Sequence, residues 1–500
     1  MIKFSNFFFK VLIRFSIILI ILSVYSCLDI LQDYEKGKNV TNPPFYGLYQ
    51  ENNLPDITNP PKNIIILISD GGGYNHIKAT NLYLGIDEQE YEKWSESTNG
   101  VKMSISTYNW FGEYDVTRAW TEYEYIEDNY TDSAAAATAM ATGIKTDNGI
   151  IGMNVTKVYD LENVLEIAEK KGKSTGVVTS VPFSHATPAA FIIHNISRSN
   201  YAEIARDMLD SPIDVIMGCG HPYYNSNGQR TDQNEYDLVG GEQYWNNLSL
   251  GLLANDADND GDDEIWNFIE SKEQFENLAN NLLEFNRVAG IVQNRYTLQA
   301  ERYGNNQTEV NPGDNSKGDE YISSSPSLGL MTKGALNVLA KNSNGFLLMI
   351  EGGAIDWKCH GNRFNRMIEE QIDFNNAVTE VIDWIHEESD WEETLVIVTA
   401  DHETGYLIGP EFSNDNMQFS DYAVVSQGSG NLPLYKWGNS DSDTSLKPYS
   451  PHTNSLVPFF AKGACANLFS SMVIDSDPNF GDYIDNTAIG LIIKKILNSF

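Results

Sequence analysis

Five short apolar runs, each ending abruptly in polar residues able to do chemistry, constrain this chain more than any other feature. Residues 64–68 (IIILI) lead into Ser69-Asp70-Gly71. Residues 175–179 (TGVVT) precede Ser180 and then His185-Ala186-Thr187. Residues 214–217 run into Gly218-Cys219-Gly220. Residues 346–350 (FLLMI) run into Glu351-Gly352-Gly353, and 395–399 (LVIVT) into Ala400-Asp401-His402-Glu403. Continuous apolar runs of this length suit strands buried on both faces, as in a parallel sheet.

Helical patterns lie between them. Residues 161–171 put Leu161, Val164, Leu165 and Ala168 on one face and stop at Gly172. Residues 367–386 repeat Ile368, Ile372, Val378, Ile382 and Ile385 at helical spacing. Alternating strands and helices predict an α/β fold, three layers (α/β/α) around a large, mostly parallel sheet. Sites in such sheets form beyond the carboxyl ends of the strands, where the polar residues above fall. Residues 220–330, rich in Asn, Asp, Gly and Tyr, read as an insertion, with helical signals near 272–285 and 331–341. Residues 412–449 form a second polar stretch, read as a rim loop or subunit contact.

The first residues stand apart. Lys3, Lys10 and Arg14 precede an apolar segment at 15–24, about half the ~20 residues that a spanning helix needs. Residues 1–26 read as a signal peptide. Ser26-Cys27 resembles a bacterial lipobox, although Tyr25 is unusual there; a plain signal peptide is the alternative. Residues 27–60, polar and containing Pro pairs, read as a lipid-linked tether, and 61–500 as the catalytic domain.

Removing residues 1–26 takes away three cations and no anions, so the net charge falls from −36 to −39. A chain this acidic does not attract nucleic acid or anionic membrane surfaces through its general field. It also repels anionic substrates, so phosphate chemistry here needs local cations, with metals the obvious source. The three other cysteines, Cys219, Cys359 and Cys465, are odd in number and far apart, and no disulfide is expected.

Four motifs carry chemistry. Ser133 opens an Ala-rich run after Asp132, where the N–H groups of a helix start favour an anion; taken alone, Asp-Ser is equally an ordinary cap. Asp356 and His360 are four apart, so on a helix they share a face and can share an ion. Asp401-His402 sits at a strand end, and His452 just before the apolar run 456–460. Each has a bland surface or capping reading. But the chain has only eight His, and four of them (His185, His360, His402, His452) fall beside strand ends or acidic partners, which points to metal.

Here the sequence resembles the alkaline phosphatase family. The matching motifs are Ser69-Asp70-Gly71, Asp132-Ser133-Ala134, His185-Ala186-Thr187-Pro188, Ser197-Arg198, Glu351-Gly352-Gly353 through Asp356, His360, Thr399-Ala400-Asp401-His402 and His452-Thr453, in the family's order. The resemblance implies a phosphomonoesterase with Ser133 as nucleophile, two zinc ions and a third metal, usually magnesium. Asp356, His360 and His452 would hold one zinc; Asp70, Asp401 and His402 the other, with Ser133. Asp70, Thr187 and Glu351 would complete the third site, and Arg198 would clamp phosphate as a bidentate fork. Small phosphorylated metabolites as substrates and a homodimer follow from the same resemblance.

Two positions depart from one branch of the family. His185 stands where some bacterial members have Asp, and is expected behind the third metal or joined to it through water. Trp357 stands where they have Lys, removing a cation from the phosphate's surroundings and predicting weaker product binding. Asp256, Asp258 and Asp260 open like a calcium loop, but position twelve is Asn267, so the turn reads equally as Ca2+ site or solvated acidic turn. Sulfatases of the wider superfamily need a Cys/Ser-x-Pro-x-Arg context that Asp132-Ser133-Ala134-Ala135 lacks. Diesterases there usually use Thr and lack the Arg198 clamp, which ranks that activity second. A non-catalytic surface protein would not be expected to keep an intact nucleophile and a full ligand set.

Overall fold

Residues Asn63–Ile68 (β1) are buried at all six positions, which is why their sequence shows no polar alternation. The computed structural model describes residues 54–232, 234–255, 264–302, 320–413, 417–438 and 450–500. Along the chain follow Tyr74–Leu84 (α1), Gly100–Ser106 (β2), Ser133–Thr142 (α2), Val164–Lys170 (α3), Ser174–Pro182 (β3), Ala186–Ala190 (α4), Tyr201–Leu209 (α5) and Val215–Cys219 (β4). Next come Asn267–Ile269 (β5), Lys272–Ala279 (α6), Val288–Ile291 (β6), Leu328–Leu339 (α7), Phe346–Glu351 (β7), Ala354–His360 (α8) and Phe364–Glu388 (α9). The last are Thr394–Thr399 (β8), Val457–Gly463 (β9), Asp475–Asp477 (β10), Gly481–Asp485 (β11) and Thr487–Leu497 (α10).

Eleven of the described strands form one sheet in the order β10-β11-β2-β9-β8-β1-β7-β3-β4-β6-β5. From β8 to β5 every neighbouring pair is parallel. Strand β9 turns the sheet antiparallel, pairing with both β8 and β2. The mostly parallel α/β architecture read from the sequence is therefore present. Ile65 and Leu67 of β1 and Leu348 and Ile350 of β7 share a core with Leu336 of α7 and Met367 and Ile368 of α9. The alternate residues Ile64, Ile66, Leu347 and Met349 are just as buried, so both faces are covered.

Part of the stretch 220–330 belongs to the sheet itself, because β6 and β5 extend it beyond β4. The helix expected at 331–341 begins earlier, at Leu328, where the Ser327 side chain accepts from Leu330 N. Cys219 and Cys359 are buried free thiols and Cys465 is a partly exposed one. No helix among the described residues is long and apolar enough to cross a membrane.

The strands β8, β1, β7 and β3 are successive neighbours. Their carboxyl ends lead into Asp401-His402, Asp70, Glu351 and His185-Thr187 respectively. Adjacency in the sheet thus gathers residues far apart in sequence at one place.

Candidate active site

Helix α2 starts at Ser133 because Asp132 caps it, its Oδ1 accepting from Ala135 N at 2.9 Å. The other Asp132 oxygen accepts from Gly149 N and from Arg198 Nη1, both at 2.9 Å. Arg198 is tied back through its own N–H to Gly149 O at 2.8 Å. One capping carboxylate therefore sets both the start of α2, where Ser133 lies, and the guanidinium. Burial works against the Arg198 charge, but the adjoining Asp132 carboxylate outweighs it and raises the guanidinium pKa. Arg198 Nη2 lies 3.4 Å from His185 Nε2. Ser133 Oγ lies 3.4 Å from His402 Nε2, and both residues are buried.

Asp356 and His360 face each other from successive turns of α8, with Oδ2 and Nε2 3.2 Å apart. His452 Nε2 comes within 3.4 Å of Asp356 Oδ1 and 3.0 Å of His360 Nε2. The opposite ring nitrogens are engaged by backbone carbonyls: His360 Nδ1 with Ser450 O at 2.6 Å, His452 Nδ1 with Thr131 O at 2.9 Å. Carbonyls only accept, so each Nδ1 carries a proton and Nε2 is the ring atom turned toward Asp356 and the shared centre.

Asp401 Oδ1 accepts from Gly71 N at 3.1 Å and His402 N at 2.9 Å. Its Oδ2 lies 3.3 Å from His402 Nε2, which is 3.7 Å from Asp70 Oδ1. Gly71 has φ +74°, and a Cβ there would stand 2.8 Å from Asp356 Cα, so only glycine fits this turn. On the far side of Asp70, ligand atoms of Asp70, His185 and Glu351 lie within 4.8 Å of one another. Two further groups satisfy the same spacing: Asp70, Asp401 and His402; and Asp356, His402 and His452.

These residues fit metal ions. Both Asp70 oxygens, Asp401 Oδ2, Glu351 Oε1, Thr187 Oγ1 and His185 Nδ1 are buried without a hydrogen-bond partner. Buried polar atoms are costly when left unmatched, and here they converge on common points. Burial and the neighbouring carboxylates Asp401, Asp356 and Glu351 push Asp70 well above the usual carboxylate range. Burial likewise lifts Asp401 to about 7 and raises Glu351 despite the Thr179 hydroxyl. Cations would relieve that crowding. Asp and neutral His donors suit zinc, and the oxygen-rich set of Asp70, Glu351 and Thr187 suits magnesium.

The residues read from the sequence as nucleophile, clamp and metal ligands come together. Cys27 and the loop of Asp256, Asp258 and Asp260 lie outside the described residues. His185 stands beside Asp70 and Glu351 with a free, buried Nδ1, close enough to serve them directly or through water. The ring of Trp357 packs edge-on against His185, with centroids 5.6 Å apart. The next residue, Lys358, turns away to pair with Glu301.

Sequence reasoning missed the supports. Thr404 donates to Asp356 Oδ1 at 2.6 Å. Glu403 accepts from Tyr406 N and Leu407 N at 3.1 Å and from the Thr453 hydroxyl, tying the His402 turn to the His452 strand. Glu403 and Thr404 follow directly on Asp401-His402, and that adjacency is the only signal they carried.

A family model described as alkaline phosphatase matches residues 61–455. The chain is 32% identical over 361 residues to Alkaline phosphatase 3 of Bacillus subtilis (strain 168), covering 70% of this chain and 63% of that protein. It therefore spans less than two thirds of that relative's length. It is 27% identical over 427 residues to Alkaline phosphatase of Escherichia coli (strain K12), covering 80% of this chain and 83% of the relative. Among solved structures, alkaline phosphatase from the Antarctic bacterium TAB5 shares the fold, with TM-score 0.55 and 23% identity over 88% of this chain and 99% of that one. A His-to-Glu variant of the TAB5 protein, with Mg bound in its M3 site, aligns with TM-score 0.54 and 22% identity over 88% and 99%.

Proposed function

From its membership of the alkaline phosphatase family, to which the chain belongs by a match spanning residues 61–455, we propose that it hydrolyses phosphate monoesters through a phosphoserine on Ser133. The observation that carries this reading is the convergence of buried, unpartnered ligand atoms beside a serine at a helix N-terminus. Asp356, His360 and His452 would hold one zinc ion, and Asp70, Asp401 and His402 a second. Asp70, Glu351 and Thr187, with His185 beside them, would hold magnesium; the TAB5 variant with Mg in its M3 site supports a magnesium here. Bound there, the ions supply positive charge that lowers the pKa of the attacking hydroxyl and neutralises the departing oxygen.

The chain's own residues do the rest. The N–H groups at the start of α2 and the Arg198 fork hold the phosphoryl oxygens. Asp132 keeps Arg198 aimed by holding Nη1 from the side. Attack by Ser133 Oγ forms the Oγ–P bond as the ester P–O bond breaks, and the alcohol leaves with a proton. Water then attacks phosphorus from the vacated side, breaking Oγ–P, freeing inorganic phosphate and returning the serine. Two in-line displacements retain configuration at phosphorus.

The test is hydrolysis of a nitrophenyl phosphate monoester, the matching diester and the sulfate, with and without chelator, by wild type and Ser133→Ala. Monoester turnover that both chelator and S133A abolish is expected. Preference for the diester overturns the monoesterase reading, and no turnover by zinc-loaded protein favours a non-catalytic surface protein. The same reading takes in a homodimer, checked by light scattering. It also takes in export with lipidation at Cys27, checked by the mass of the mature N-terminus: an unmodified Cys27, or cleavage elsewhere, removes the anchor.

A further inference from the structure

Four aromatic rings from separate segments are linked by ring contacts beside the residue proposed to clamp phosphate. Arg198 Nη2 touches His185 at 3.4 Å. Trp357 of α8 stands edge-on to His185, and Tyr201 at the start of α5 lies nearly parallel to its ring, centroids 6.5 Å apart at 18°. Tyr296, in the loop after β6, stands next, its ring centroid 6.5 Å from that of Trp357 and its plane tilted 55° to it, so that the two rings form the sides of a cleft rather than one flat face. Exposure rises from 7% at His185 to 40% at Tyr296.

Tyr296 is the outermost ring, and its neighbour holds it. The Arg295 guanidinium lies 5.5 Å from the Tyr296 centroid. Arg295 is itself buried and fixed by ion pairs with Glu235 and Asp237. A half-exposed ring on a fixed backing is presented ready-made to a ligand, so little ordering cost opposes stacking. Nothing in this group favours a bare sugar or polyol through charge. A flat π system does gain from it, and stacking on aromatic side chains tolerates any base.

We infer that Tyr296 and Trp357 form a stacking cleft for the base of nucleoside 5′-monophosphates, a substrate class this site would take in preference to small alkyl phosphates. The inference rests on the phosphomonoesterase reading. It makes Tyr296 a specificity residue remote from the reacting atoms.

The test compares adenosine 5′-monophosphate with ribose 5-phosphate, both primary alkyl phosphates that differ in the base. Metal-loaded wild type, Tyr296→Ala and Tyr296→Phe are assayed for kcat and KM. Wild type is expected to favour the nucleotide by about tenfold in kcat/KM, mostly through KM. Y296A should lose most of that preference with ribose 5-phosphate turnover unchanged, and Y296F should keep it. Equal use of both esters by wild type, or a preference that Y296A leaves intact, overturns the cleft. Failure of wild type to hydrolyse these esters and nitrophenyl phosphate alike would instead bring down the phosphomonoesterase reading.

Discussion

The carbonyls of Ser450 and Thr131 fix the rings of His360 and His452, and the hydroxyl of Thr404 fixes Asp356, the three residues proposed to hold one zinc. Partners that orient a ligand typically govern metal affinity by 10–100-fold. Thr404→Val should therefore weaken zinc retention by about that factor, read by competition with a coloured chelator, and leave the fold intact. Retention equal to wild type would show that the hydroxyl does not orient Asp356. Trp357 yields a second prediction. Lys358 is committed to Glu301, so no ammonium of α8 replaces the cation absent at position 357. Trp357→Lys should tighten inhibition by inorganic phosphate about fivefold, the scale of one partly exposed ion pair. Phosphate inhibition no tighter than in wild type would contradict it. The cluster of proposed ligands was legible because four of the eight His fall beside strand ends or acidic partners, although each motif alone also has a surface or capping reading. The carbonyls of Thr131 and Ser450 were not, because every residue carries a carbonyl and only the fold selects which one meets a histidine.

Helix α2 carries Ser133, the proposed nucleophile, and all ten of its residues are buried, so its place depends on close packing rather than on a polar face. It meets α10 closely: a Cβ on Gly490 would lie 2.3 Å from Gly143 N and 2.8 Å from Met140 O. Both atoms are backbone and cannot step aside. Gly490→Ala should cost about 1–3 kcal/mol in urea unfolding, as overpacking does, and should lower kcat by shifting Ser133. A variant as stable and active as wild type would mean that α10 can slide away. Strands buried on both faces announced themselves as apolar runs, within a residue or a few of where β1, β3, β4, β7 and β8 lie. Strand β2 did not, since its first three positions are not buried and hold Gly, Val and Lys. Strand β6 (Val-Ala-Gly-Ile) is too short and too lacking in large side chains to stand out in a stretch of Asn and Asp, although it is wholly buried. Such elements gain their stability from neighbours that sequence periodicity does not display.

At the scale of the whole molecule, the carboxylates of Asp70, Glu351, Asp356 and Asp401 lie in one buried region of a chain with net charge −36. Arg198 is a cation that the fold brings near Asp70. Asp356 is matched by His360 and His452, but folding without metal must bury Asp70, Glu351 and Asp401 with their negative charges unmatched or protonated, and either choice costs free energy. Ions that bind only the folded state return that cost by mass action, about 2.7 kcal/mol per site at a hundredfold excess over Kd. Over three sites that is about 8 kcal/mol, so exhaustive chelation should lower Tm by about 5–10 °C, given about 1 °C per kcal/mol at this chain length. Near-UV circular dichroism in matched buffers, with zinc and magnesium added back, measures the shift. Ser133→Ala should show nearly the same drop, because the serine contributes little charge to the cluster, whereas its hydrolytic activity should be gone. A chelated protein that melts with the loaded one would show that the buried acids are matched within the fold, and would remove the main physical support for metal at this site.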